Sequence, residues 1–271
     1  MLDTPTQDLE PDRLPLGVMF IELQRLVHAK RVPVPDVALL TLIVKAFSHL
    51  KQAGNLLQAL QLLTAHYLPT LELCDFLLAR ALWSSDAKTL SLLIGWYINN
   101  FEQGLEIGQT NRVLQIASSQ GDETLAKLGF KLLQMSGQTA ELGHYVCWAR
   151  ACLLSSNLNG AIEALLEAQG QGLDVLNSAY GHSLQMLVAD SFKISTSVLD
   201  GIYFALVDLR RGNYVVPPVV LNGLIIAAGK LSQLDRVFGT FQEYQSLFGL
   251  QPDIHTHNAL LSAVSFSKFP E

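Results

Sequence analysis

An all-α fold built from stacked helix pairs is predicted by three observations. Apolar residues recur at spacings of three and four along nearly the whole chain, the period of one helix face. No segment shows the strict alternation of a half-buried strand. Gly, Pro, Asn and Asp interrupt the pattern at intervals that suit helices of ordinary length joined by short turns.

Taken in order, the acidic, proline-bearing start "MLDTPTQDLEPD" gives way to "GVMFIELQRLVHAK", where Val18, Ile21 and Leu26 mark one apolar face. "VPVPD" stops that helix, because a residue preceding proline is pushed out of the α region. "VALLTLIVKAFSHLKQAGNLLQALQLLTAHYL" then reads as two helices joined at "KQAGN", with Gly54 expected to supply a left-handed C-cap. "LELCDFLLARALWSSDAKTLSLLIGWYINN" is a less regular pair. The arrangement recurs in "TNRVLQIASSQGDETLAKLGFKLLQMSG" and in "YVCWARACLLSSNLNGAIEALLEAQGQGL". A further copy is "PPVVLNGLIIAAGKLSQLDRVFGTFQEYQSLFGLQPD". The pattern fits most loosely between residues 71 and 105 and between 180 and 214.

The second helices carry a small or β-branched residue four positions before a bulky one: Ala59 and Leu63, Ala126 and Phe130, Ala161 and Leu165, Val237 and Phe241. These recurrences correspond to a repeat in the middle thirties. A helix pair of that length cannot bury its apolar faces alone, whereas stacked pairs bury a continuous core. Residues 1–17 are expected to form an acidic extended segment, and residues 18–271 about six to seven helix pairs, open at the C-terminal end.

Composition narrows the function classes. Hydrophobic residues make up 49% and charged residues 15%, against a charged share of about 25% in ordinary domains. Mean hydropathy is +0.28. Yet no stretch reaches the roughly 18 consecutive apolar residues of a membrane helix, so membrane insertion is not expected. A surface so poor in charge points to a subunit whose partners cover it. The net charge of −6 argues against a strongly electrostatic grip on nucleic acid, and DNA is not an expected partner. Cys74, Cys147 and Cys152 are too few and too scattered for a disulfide framework and suggest a reducing compartment. No targeting segment is read in the first residues.

One stretch carries more than periodicity. In "GLQPDIHTHNALLSAV" (residues 249–264), Gly249 ends a helix, Pro252 and Asp253 turn the chain, and Thr256 or its neighbours cap the next helix. The order Gly-x-x-Pro-Asp-x-x-Thr-x-Asn-x-Leu-Leu resembles the junction between pentatricopeptide repeats. "VPDVALLTLIVKAFSHLKQAGNLLQALQLL" is similar, with Thr41 where Asn258 stands. "PPVVLNGLIIAAGKLSQLDRVFGTFQEY" places Asn222 there. The Trp-x-x-Leu-Gly-x-x-Tyr signature of tetratricopeptide repeats does not appear.

The resemblance implies a right-handed α-solenoid of stacked antiparallel helix pairs without catalytic activity, working in organellar gene expression. The expected compartment is the mitochondrion, with the chloroplast as the alternative. The expected partners are other protein subunits, including those of the mitochondrial ribosome, and single-stranded RNA. In RNA-binding members, a polar residue near the start of a first helix meets a base edge and the repeat's last residue assists it. Carried over, Asn222 with Asp253 would form one such pair, favouring a pyrimidine. Thr41 would be a second reader, in a repeat ending at Thr70, and Asn258 would open a further repeat. Asp75 and Asn111 are central candidates of open register. A scaffold that holds an organellar complex together without touching RNA is the competing expectation.

Other motifs carry less. His255 and His257 stand two apart, so they do not share a helix face and are expected to be structural. Cys147 and Cys152 miss zinc-site spacing. "QGQGLD" follows a helix rather than a strand, which disfavours a phosphate loop. No cofactor or metal is expected. Trp83, Trp96 and Trp148 are read as helix-packing residues. The last helical run should pack one flank on the helix carrying Phe241 and Tyr244. Leu260, Leu261, Val264, Phe266 and Phe269 would then offer the other flank to a protein partner.

Overall fold

The computed structural model describes residues 15–267, which contain fourteen α-helices and no strand. In chain order these are α1 (Pro15–His28), α2 (Val37–His49), α3 (Ala53–His66), α4 (Leu71–Ser84) and α5 (Ala87–Asn100). They continue with α6 (Ile107–Gln120), α7 (Glu123–Met135), α8 (Leu142–Leu154), α9 (Leu158–Gly170) and α10 (Gly181–Phe192). The last are α11 (Thr196–Arg211), α12 (Pro218–Lys230), α13 (Leu234–Ser246) and α14 (Ile254–Phe266). The chain divides between Gln109 and Thr110 into two compact units. Helix α1 begins at Pro15, before the expected start of the helical region at residue 18. Both segments of loose periodicity fold as helix pairs, α4–α5 and α10–α11.

Local chemistry explains most boundaries. Asp36, Asp122, Asn157 and Asp253 each accept a hydrogen bond from the backbone N–H three residues ahead, at 2.8, 2.8, 3.0 and 2.8 Å. Each such cap is worth about 1 kcal/mol relative to alanine. Asp86 accepts from both the backbone N–H and the hydroxyl of Thr89, at 3.2 and 2.6 Å. Five turns within pairs share one device, a left-handed residue after the first helix. These residues are Lys51, Ser85, Gly121, Ser156 and Ser232. The next N–H then reaches back five residues to a carbonyl, as from Gln52 to Phe47 (3.1 Å) and from Asn157 to Cys152 (2.8 Å). This corrects the expected role of Gly54, which lies in the first turn of α3 while Lys51 takes the left-handed conformation.

The core follows the predicted stripe. Ala59, Ala126, Ala161 and Val237 are all at most 1% exposed. Three of them are the fourth residue of their helix, whereas Ala59 is the seventh of α3, one turn deeper. In the second unit the first helices of successive pairs, α10, α12 and α14, pack side by side. Glycine makes that approach possible. A methyl group on Gly223 would sit 2.4 Å from a Val188 side-chain carbon.

The tryptophans part company. Trp96 and Trp148 are buried as expected, but Trp83 is 86% exposed. It ends a stripe of Leu71, Asp75, Ala79 and Trp83, spaced by four and all exposed, opposite the buried residues Leu77, Leu78 and Ala81. The cysteines are free thiols, with Cys74 and Cys152 buried and Cys147 half-buried.

Candidate nucleic-acid interface

The fifth residue of each first helix occupies the position at which Thr41, Asn222 and Asn258 were read as base contacts. In chain order these residues are Thr41, Asp75, Asn111, Val146, Gln185, Asn222 and Asn258. All but Val146 can form hydrogen bonds. Helix boundaries thus settle the register of Asp75 and Asn111, which periodicity left open. In the first unit Thr41 is half-buried and Asp75 exposed. In the second unit Asn111 is half-buried, Gln185 and Asn222 are buried, and Asn258 is exposed.

Asn222 and Asp253 are each engaged by neighbouring side chains. Asn222 is fully buried, and its Oδ1 accepts a hydrogen bond from the Tyr244 hydroxyl at 3.1 Å. Its Nδ2 has no hydrogen-bond partner among the described residues. Burial pushes the Tyr244 hydroxyl up to about 12, so it remains a donor at neutral pH. Asp253 caps α14, its Oδ1 accepting from both the N–H (2.8 Å) and the hydroxyl (2.9 Å) of Thr256. Beside Asp253 lies a cavity of about 370 Å³, bounded by residues 172–177 and by Pro217, Pro218 and Val219 at the start of α12. Asn177 reaches across to His255, with 2.9 Å between Oδ1 and Nε2. His257 makes an edge contact with Phe241 and lies 2.6 Å from the Asp253 carbonyl oxygen. The two histidines therefore serve separate structural ends.

A groove of the second unit lies along α6, α8 and α10 and has a volume of about 670 Å³, within the usual range for small-ligand sites. Asn111, Gln115, His144, Cys147, Arg150 and Tyr180 are among its lining residues. At one end Asp190 is paired with Lys230 at 2.7 Å and with Lys193 at 2.9 Å. These hydrogen bonds hold its carboxyl below the usual range. Asn111 is anchored by His144, whose Nε2 lies 2.7 Å from the Asn111 Oδ1. The other ring nitrogen, Nδ1, accepts the backbone N–H of Glu141 at 2.8 Å. Burial keeps the His144 imidazole below its ordinary titration range, against the opposing pull of Glu141, so the ring is neutral at physiological pH. Neither His144 nor Arg150 was a candidate from sequence; the contact that gives His144 its place joins residues 33 apart in the chain.

The C-terminal helix is two-sided. Thr256, Ala259 and Ala263 are buried and α14 packs on α12 as well as on α13, a wider contact than the expected one with Phe241 and Tyr244 alone. Leu261 is 68% and Phe266 44% exposed, while Leu260 and Val264 are half-buried. The Lys230 ammonium lies 5.4 Å from the centre of the Phe266 ring. Phe269 lies outside the described residues. Among the described residues no helix is long and apolar enough to cross a membrane.

Helix pairs stacked through their first helices, with polar residues recurring at one register position, define a helical-repeat protein. A family model described as "Pentatricopeptide repeat-containing protein" matches residues 108–244, and the chain belongs to the pentatricopeptide repeat family. A curated relative, a mitochondrial pentatricopeptide repeat-containing protein of Arabidopsis thaliana, is 27% identical over 173 residues. That alignment covers 61% of this chain and 27% of the relative, so the chain spans about a quarter of that protein's length. Among solved structures, the pentatricopeptide repeat protein PPR10 in complex with an 18-nt psaJ RNA element matches with 16% identity and a TM-score of 0.30. The match covers 92% of this chain and 40% of that one. The structure of PPR10 from maize matches at 12% identity and a TM-score of 0.24, covering 91% and 49%.

Proposed function

We propose that this protein is a non-catalytic helical-repeat factor of organellar gene expression that holds single-stranded RNA through its second unit and protein subunits through α14. The observation that carries this reading is the polar ladder at the fifth position of the first helices, with Asn111 held at the wall of a groove large enough for a base. Arg150 lines that groove, providing a cation for a phosphate, and Tyr180 provides a ring on which a base can stack. The mitochondrial relative supports a mitochondrial site of action, with the ribosome as the assembly whose RNA and protein surfaces would suit both contacts. Asn258 is exposed and would extend the contacts beyond the groove, and Thr41 and Asp75 are separate candidate contacts within the first unit.

A second reading is favoured by the burial of Gln185 and Asn222, which turns two of the ladder's rungs inward. On that reading the protein is an assembly scaffold that binds proteins alone. Purification from the organelle with and without RNase separates the two. Retention of RNA fragments, with loss of partners after RNase, supports the RNA-associated factor. An unchanged protein set with no RNA supports the scaffold.

A further inference from the structure

In the first unit a pit of about 140 Å³ opens between the α2–α3 turn and the α4–α5 turn. Its floor is apolar: Phe47, Leu56 and Ala81 line it and are at most 4% exposed. Two cations, Lys51 and Arg80, line it as well. Arg80 is fixed by the end of α2, its Nε donating to the Ser48 carbonyl at 3.3 Å and its Nη2 to the His49 carbonyl at 3.5 Å. Those contacts use two of its five N–H groups. Lys51 is the left-handed residue of the α2–α3 turn and is exposed. Asp86 is the one carboxylate among the lining residues, and it is committed to Thr89, whose N–H and hydroxyl it accepts at 3.2 and 2.6 Å. Helix α3 begins at the pit without a side-chain cap, whereas Asp36, Thr70 and Asp86 cap α2, α4 and α5. The positive end of α3 therefore adds to the two cations.

The remaining wall is Trp83, whose 86% exposure the packing of α4 does not explain. Single exposed apolar residues are ordinary. An indole and a guanidinium around a pit with a buried apolar floor are the ingredients of an interface hot spot, where Trp and Arg are enriched. We propose that this pit docks an acidic segment of a partner protein through one apolar anchor. A Leu- or Phe-sized side chain enters over Phe47, Leu56 and Ala81 against the indole, and a flanking carboxylate meets Lys51 and Arg80. In a chain of net charge −6, a cationic pit is a local exception, so charge complementarity selects the partner. RNA has a use for the cations and the indole but leaves the apolar floor unfilled.

Fluorescence anisotropy on the full chain tests this with labelled, acetylated pentapeptides Glu-Glu-x-Glu-Glu, where x is Leu, Phe or Ala. The Leu and Phe peptides should bind at least about tenfold more tightly than the Ala peptide. Their Lys-Lys-x-Lys-Lys counterparts should not bind. Trp83→Ser should weaken the acidic peptides by at least about tenfold, the scale of a hot-spot truncation. Lys51→Asn keeps a residue that tolerates the left-handed turn and should weaken them at low salt, with the difference fading as salt screens the charge. Trp96 and Trp148 are already buried, so a blue shift of tryptophan emission on binding should come from Trp83 and vanish in Trp83→Ser. Failure of every acidic peptide to bind, equal binding of the lysine peptides, or binding that survives Trp83→Ser overturns the proposal. So does oligouridylate binding that Trp83→Ser abolishes in a protein that ignores the acidic peptides, which makes the pit a nucleic-acid contact instead.

Discussion

Gly229 of α12 and Ala263 of α14 meet backbone to backbone: a methyl group on Gly229 would lie 2.3 Å from the Ala263 carbonyl oxygen and 2.4 Å from its Cα. The listener to such a clash is rigid, since both helices are hydrogen-bonded along their length and neither can shift without disturbing α10 or α13. Gly229→Ala should therefore destabilise the protein by about 1–3 kcal/mol through overpacking. Gly239 in α13 has nothing among the described residues within 4 Å of the same methyl position. Gly239→Ala should stabilise by about 0.5–1 kcal/mol, the usual gain for alanine in a helix. Urea unfolding of the two variants reads the difference, and equal signs would show that α12 and α14 do not approach this closely.

The second-helix stripe makes a related prediction. Ala161 is 1% exposed in α9, and replacement by Phe should cost about 1–3 kcal/mol through overpacking. Gln171, exposed at the end of the same helix, should tolerate Glu without a measurable shift in melting temperature.

Tryptophan substitutions should divide by exposure rather than by residue type. Trp148 is 7% exposed and packs against Phe130 at 5.0 Å between ring centres, so Trp148→Ala should cost about 3–5 kcal/mol. Trp83→Ser should leave stability nearly unchanged, because the indole is 86% exposed. Thermal melts of the two variants, side by side, make the comparison.

Acidification should expose the burial of His144. Its folded-state pKa lies below the ordinary histidine value of about 6.5, principally through desolvation. The unfolded chain therefore takes up the proton first as pH falls. Its contribution to stability is complete above about 6.5, declines as pH falls toward the folded value, and levels off beneath it. His144→Gln should flatten that part of the stability profile relative to the wild type, as measured by denaturant midpoints across the range.

Leu261 on the outer flank of α14 is 68% exposed, so Leu261→Asp should leave the melting temperature of the isolated chain within error. If that flank docks a protein subunit, the same substitution should remove the subunit from the native assembly. Hydrogen exchange showing residues 255–267 equally fast in the free chain and in the assembly would count against docking there.

Much of this molecule was determined by the sequence alone, because the determining interactions are local. Periodicity of three and four marked the helices, and the Pro-Asp junction at residues 252–253 marked the turn into α14. Side chains within four residues of one another decide those features whatever the rest of the chain does. Other features waited on tertiary structure. Asn222 and Asn258 hold the same register, yet one is fully buried and the other exposed, because a further helix packs over α12 and none among the described residues packs over that face of α14. Lys51 rather than Gly54 turned the chain because the carbonyl that accepts the closing hydrogen bond belongs to Phe47. The bond between His144 and Asn111 joins residues 33 apart. Its existence depends on how far α6 and α8 rotate about their own axes, which only the packing of neighbouring helices decides.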